Sequence, residues 1–108
     1  MFINDIISSI KKIGEYIENL SYQEFRQDTK TVDAVLRNLE IIGEASRNIR
    51  EDVRGKFPNI PWRRMIGLRN IVSHAYFGVD LELIWEIVSK NLPGLEAKIR
   101  NMLKDYKK

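Results

Sequence analysis

The sequence predicts an all-α protein, an antiparallel bundle of four to five helices. Three observations carry that reading. Apolar residues recur at three- and four-residue steps along most of the chain. No stretch alternates with period two for long enough to make a strand, and there is no internal repeat. The breaks between periodic segments are short and built from caps, glycines and prolines, which suits neighbouring helices that reverse direction.

The first helix is predicted from Ile3, Ile6, Ile7, Ile10, Ile13, Ile17 and Leu20, which cover about half of a helical circumference. Isoleucine is a middling helix former, so burial has to hold this segment helical. Gly14 costs about 1 kcal/mol relative to alanine there and is expected to mark a close contact. Ser21-Tyr22-Gln23-Glu24 fits a capping box and starts a short helix or turn. Asp28-Thr29-Lys30-Thr31 offers caps for a second long helix. Its apolar face is Val32, Val35, Leu36, Leu39, Ile42, Ala45 and Ile49, with Arg37, Glu40, Glu44 and Arg47 opposite. Gly43, Ala45 and Ser46 are small enough to admit a neighbouring helix closely.

Phe57-Pro58-Asn59-Ile60-Pro61 is a connector, because two prolines three apart cannot sit inside a regular helix. Pro61 suits the first turn of a third helix, predicted to run to about His74. Gly78 and Asp80 punctuate the chain after that helix. Asp80 is expected to cap a fourth helix carrying Leu81, Ile84, Trp85 and Val88, and Pro93-Gly94 to break it. A last helix carries Leu95, Ile99, Met102 and Leu103 and ends in lysines that suit its C-terminal dipole.

The 108 residues are the size of one domain with one modest core, and the composition is that of a soluble globular protein. There is no cysteine, which excludes a disulfide scaffold, a thiolate-held metal and thiol catalysis. A single histidine excludes a multi-histidine metal site within one chain. No metal and no cofactor are expected. No apolar run is long enough to span a membrane, and the first residues lack the basic start of a secretory signal, so a cytoplasmic location is expected.

Charge is segregated. Residues 1–54 hold eight basic and ten acidic side chains; residues 55–108 hold ten and five. No acid lies between Asp52 and Asp80, whereas Arg54, Lys56, Arg63, Arg64 and Arg69 do. Such a stretch suits an anionic partner, phosphate above all, unless it is simply a solvated face. Arg63, Arg64, Lys56 and Arg54 are the candidate contacts to such a partner on this ground, and would be RNA-binding were the anion a nucleic-acid backbone. Trp62 lies in the same window and either stacks a base or packs in the core.

One constellation inside that window could carry chemistry: Arg69-Asn70-Ile71-Val72-Ser73-His74-Ala75-Tyr76. Asn70 and His74 share a helix face. Arg69 and His74, five apart, are about 140° apart around an ideal helix. Three arrangements could still unite them. Arg69 bends round, the helix stops before His74, or a second chain completes the site. Each residue also has an ordinary structural reading. His74 would cap carbonyls at a helix end, Arg69 would pair with an acid, Tyr76 would pack, and Asn70 would bond the backbone.

The segment resembles the Arg-x4-His-x-Tyr motif of HepT-type toxins in the HEPN-domain family. Two further blocks resemble that family in the same order. Val35-Leu36-Arg37-Asn38-Leu39-Glu40-Ile41-Ile42-Gly43-Glu44-Ala45 is similar to its "R-x-L-E-x-I-G-E-A" helix, and Phe57-Pro58-Asn59-Ile60-Pro61-Trp62 to its "P-x-I-P-W" entry into the motif helix. The resemblance implies an all-α HEPN-like bundle that pairs as a homodimer, alone or within a larger hetero-oligomer. It implies a metal-independent endoribonuclease, the toxin of a toxin–antitoxin pair, acting on RNA such as tRNA or mRNA. Its implied partner is a minimal nucleotidyltransferase antitoxin that silences it by adenylylating the motif tyrosine, here Tyr76. Arg69 and His74 carry over as the catalytic pair, and Asn70 as a supporting polar residue. Glu40 and Glu44 either brace Arg69 or are solvated.

These residue types suit that chemistry. RNA is cleaved without metal when its own 2′-hydroxyl attacks the adjacent phosphate. That needs a base, an acid and positive charge on the phosphorane. Imidazole changes charge near neutral pH, and a guanidinium offers phosphate two parallel N–H groups. One histidine cannot conveniently serve both sides of the phosphate, so a two-fold site sharing residues from two chains is expected. The competing readings are a HEPN module that binds RNA or nucleotide without cutting it or serves a nucleotidyltransferase structurally, and a helical oligomerisation domain.

Overall fold

The computed structural model describes residues 2–76 and 80–106, and leaves the Tyr76 side chain outside the described set. The predicted Gly78 punctuation and the final lysines, Lys107 and Lys108, fall outside it too. Helices are α1 (Phe2–Ile17), α2 (Tyr22–Gln27), α3 (Thr29–Asn48), α4 (Glu51–Gly55), α5 (Trp62–Tyr76), α6 (Leu81–Glu86) and α7 (Leu92–Tyr106), with a π-helical turn at Ile87–Asn91 joining the last two. The all-α bundle is as predicted. Its long axis is 44 Å against 25 and 20 Å across.

The predicted stripes form the core. Ile3, Ile6, Ile10 and Ile13 of α1 and all seven predicted apolar residues of the second long stripe are buried. The α1 helix packs between α3 and α7, and α3 between α1 and α5. Helix α5 thus neighbours α3 and α7 neighbours α1, and α5 and α7 face each other across a groove.

Local chemistry explains the ends. Ser21 and Glu24 form a reciprocal capping box at α2: the Glu24 N–H donates to Ser21 Oγ at 3.1 Å and the Ser21 N–H to Glu24 Oε1 at 2.9 Å. Asp28 caps α3, accepting from the Thr31 N–H at 3.1 Å and the Thr31 hydroxyl at 2.7 Å. The Phe25 side chain between these caps is fully buried, and its ring lies 5.1 Å from that of Trp85, which ties α2 to α6.

Four expectations change. Gly14 marks no close contact: a Cβ there would meet nothing within 4 Å. The short helix α4 has no counterpart in the sequence reading, although Glu51 and Asp52 supply the acidic first turn such a helix favours. Asp80 precedes α6 in a left-handed conformation, φ 66°, and its side chain makes no capping hydrogen bond among the described residues.

Pro93 does not break the chain into two helices. It follows a widened turn in which the Leu92 N–H donates to the Ile87 carbonyl, five residues back. Proline lacks an N–H and its ring crowds the carbonyl four residues earlier, here Ser89, and the wider turn relieves that crowding. Ser89 adds a hydroxyl donor to the Trp85 carbonyl at 2.6 Å.

Candidate active site on helix α5

Helix α5 is fixed from both ends of the connector before it. The Pro61 carbonyl accepts the first helical bond, from the Met65 N–H at 3.0 Å. Trp62 is buried, and its indole Nε1 donates to the Phe57 carbonyl at 3.1 Å. Trp62 is thus a core residue that staples the connector, rather than an exposed platform for a base. Met65, Leu68, Val72 and Ala75 bury the inner face of the helix.

The crossing with α3 is close because Gly43 has no side chain. A Cβ at Gly43 would stand 3.2 Å from the Arg69 backbone nitrogen and 3.3 Å from the Met65 carbonyl oxygen. The residue that lets α3 approach is thus directly beneath the motif arginine. One position further along α3, Glu44 reaches up and accepts from Arg69 Nη1 at 3.0 Å. Both side chains are about half exposed, 52% for Arg69 and 51% for Glu44, so the pair faces solvent and can be opened. Glu44 therefore braces the arginine. Glu40 is half-buried and has no hydrogen bond among the described side chains.

Helix α5 continues through Tyr76, so His74 belongs to it rather than to a loop. At 100° per residue, Asn70 and His74 share one exposed face, with Ser73 nearby, while Arg69 projects about 140° from His74. Among the described residues no hydrogen bond joins Arg69 to His74; within one chain the guanidinium is held by Glu44 on the α3 side. Of the three arrangements open from the sequence, an early helix end is excluded, and Arg69 turns to Glu44 of α3.

The other predicted residues divide. Arg54 Nε donates to the Ile49 carbonyl at 3.1 Å, covering the C-terminal end of α3. Lys56 is exposed where α4 ends. Arg63 and Arg64 are exposed and line a groove between α5 and α7. Sequence reasoning missed Lys90 and Lys98 on the facing wall of that groove, because nothing in linear order ties them to α5. It also missed Asn38, buried on α3 with its Nδ2 donating to the Ala34 carbonyl and its Oδ1 unpartnered. An asparagine amid an apolar stripe was the available signal.

A family model described as "Ribonuclease HepT-like" matches residues 6–102, nearly the whole helical bundle. The chain belongs to the HepT-like ribonuclease family. Among its relatives are two proteins of Methanocaldococcus jannaschii, each provisionally named an RNase. One is 46% identical over 91% of this chain and 90% of its own length, the other 40% identical over 96% and 86%. A "Probable ribonuclease HepT" of Thermococcus cleftensis is 42% identical over 95% of this chain and 94% of its own. No solved structure matches the sequence.

Proposed function

We propose that this HepT-like chain is a toxin that cleaves RNA without metal, at a site shared between two copies related by a two-fold axis. One observation carries the reading: on a helix continuous through Tyr76, His74 and Arg69 project in different directions, with Arg69 leaning on Glu44. A single copy thus offers half of a site. An isologous pairing along the exposed face of α5, where Asn70, Ser73 and His74 lie beside the half-buried Ile66 and Ile71, would set two histidines and two arginines around one phosphate.

The reaction then needs no further group. One His74 takes the proton of the RNA 2′-hydroxyl as its oxygen attacks phosphorus. The bond from phosphorus to the 5′-oxygen breaks, and the second His74 protonates that leaving oxygen. The products are a 2′,3′-cyclic phosphate and a free 5′-hydroxyl. Arg69 exchanges Glu44 for the non-bridging oxygens as negative charge grows there. Asn70, one turn before His74, supports the substrate or the imidazole. Lys56 and Arg54 add to the basic surface along which RNA would approach.

The motif resemblance supports the regulatory half of the proposal. A minimal nucleotidyltransferase antitoxin would transfer AMP to the Tyr76 hydroxyl, two residues from His74. The added phosphate would offer Arg69 a competing anion, and the nucleotide would occupy the path of RNA.

The deciding experiment incubates purified protein with tRNA and mRNA in EDTA, beside His74→Ala. Cleavage by the wild type, with 2′,3′-cyclic phosphate ends, and none by the variant is the expected result. Cleavage that EDTA abolishes, or that His74→Ala retains, overturns the mechanism.

A further inference from the structure

The groove between α5 and α7 is apolar at its floor and basic at its rim. It encloses about 730 Å³. Its floor is aliphatic, formed by Leu68, Ile71, Ile87, Leu92 and Leu95 with Met65. Its rim carries four cations, Arg63 and Arg64 on one wall and Lys90 and Lys98 on the other, and no acid lines it. Gly67 and Gly94, one on each wall, leave it open: a Cβ at either would meet nothing within 4 Å. The π turn contributes Ile87, Lys90 and Asn91 to the facing wall, and widened turns recur at functional sites.

We infer that this groove is a docking site for an acidic amphipathic helix of a partner protein. The wall from Pro61, just before α5, to Ile71 is about 15 Å long at 1.5 Å per residue, enough to seat nearly three turns of a third helix. An aliphatic floor between two helical walls is the setting in which one apolar helix face is buried. Charge complementarity fixes the rest. Cations on both walls match carboxylates flanking an apolar stripe on both sides, and do not suit a single anionic headgroup at one end.

Two other occupants fit less well. A second copy paired across this groove would set the same four cations against themselves. RNA would find no aromatic ring here on which to stack, only aliphatic side chains. Neither Arg69 nor His74 lines the groove, so the inference does not rest on the cleavage reading, although Ile71 borders both the groove and the proposed pairing face and Arg63 and Arg64 are also the candidate RNA contacts.

The test uses a fluorescein-labelled synthetic peptide of about 16 residues, with leucines at i, i+3, i+4 and i+7 and glutamates on both flanks. Its twin carries lysines in place of the glutamates. Anisotropy with the full chain should show saturable binding of the acidic peptide below roughly 100 µM, at least about tenfold tighter than the basic twin and weakened by salt. Lys98→Glu, at an exposed position, should cost the acidic peptide about tenfold. Gly94→Phe, which fills the groove from a position with room for it, should abolish binding while the circular dichroism spectrum stays helical. Equal binding of the two peptides, or no saturation by about 1 mM, overturns the inference. So does a single-stranded RNA oligonucleotide whose binding is lost in both variants, which would make the groove an RNA track.

Discussion

Arg69 and Glu44 form an ion pair of modest strength, about 0.2–1 kcal/mol for half-exposed partners, and its weakness suits the proposed chemistry. A phosphate must displace the carboxylate, and a buried, rigid pair would resist. His74→Ala is expected to lower cleavage by about 10²–10⁴-fold and Arg69→Ala by about 10²–10³-fold, both read as initial rates on a defined RNA. Arg69→Lys keeps the charge but loses the planar fork, so it should recover only a small part of that loss. Tyr76→Phe should cut RNA as the wild type does yet resist silencing by the nucleotidyltransferase, measured as residual cleavage after incubation with ATP.

Asp28 gives a residue-scale prediction about pH. The Thr31 hydroxyl, followed by the Thr31 N–H, holds the Asp28 carboxyl below its ordinary value. A carboxyl with a depressed pKa in the folded state contributes stability above its unfolded pKa and loses it as pH falls through the folded one. Asp28→Asn should therefore flatten the acid side of the stability profile below about pH 4, followed as thermal midpoint against pH. A variant profile parallel to the wild type would show that the cap does not titrate with folding.

At the scale of elements, the glycines of α1 and α3 make a contrasting pair. Gly14 has free space around its missing side chain, so Gly14→Ala should stabilise the protein by about 0.5–1 kcal/mol. Gly43 sits against the backbone of α5, which cannot swing aside as a side chain can. Gly43→Ala should destabilise by about 1 kcal/mol net, overpacking outweighing the gain in helix propensity, and should reduce cleavage by displacing α5. Urea unfolding separates the two signs.

Both glycines were visible in the sequence, but their environments were not. Gly43 lay among small residues on a predicted apolar stripe, which announced a helix crossing; Gly14 carried no such companion signal. The apolar stripes, the capping box and the cap at Asp28 were equally legible, because helix periodicity and side-chain capping are local. The π turn was not, since Pro93-Gly94 reads as a break unless tertiary packing keeps the helix continuous. Nor could spacing alone say which way Arg69 turns, because that depends on Glu44, twenty-five residues earlier.

For the molecule as a whole, the proposed shared site makes a quantitative claim. A mixed dimer of wild type with His74→Ala lacks one of the two imidazoles the reaction uses. It should cleave far below half the wild-type rate, measured on heterodimers isolated by differential tags. A rate at or above half would mean that each chain acts alone. Family membership and the resemblance of the motif led from sequence toward RNA cleavage; the single histidine is one reason to invoke two copies, and the engagement of Arg69 by Glu44 on a continuous helix adds a second.

The widened turn before Pro93 has a consequence for chain length. A π bulge accommodates one surplus residue locally, so the segments on either side keep their rotational phase. Deleting Ser89 together with Pro93→Ala should therefore leave an ordinary α-helix with Ile84 and Ile99 still inward, and the double change should fold. The same deletion with proline retained would force its ring against a carbonyl, costing roughly 3 kcal/mol. A one-residue deletion paired with loss of the proline ought to be tolerated at this turn, where the helix has slack, and rejected within the tightly wound turns on either side of it.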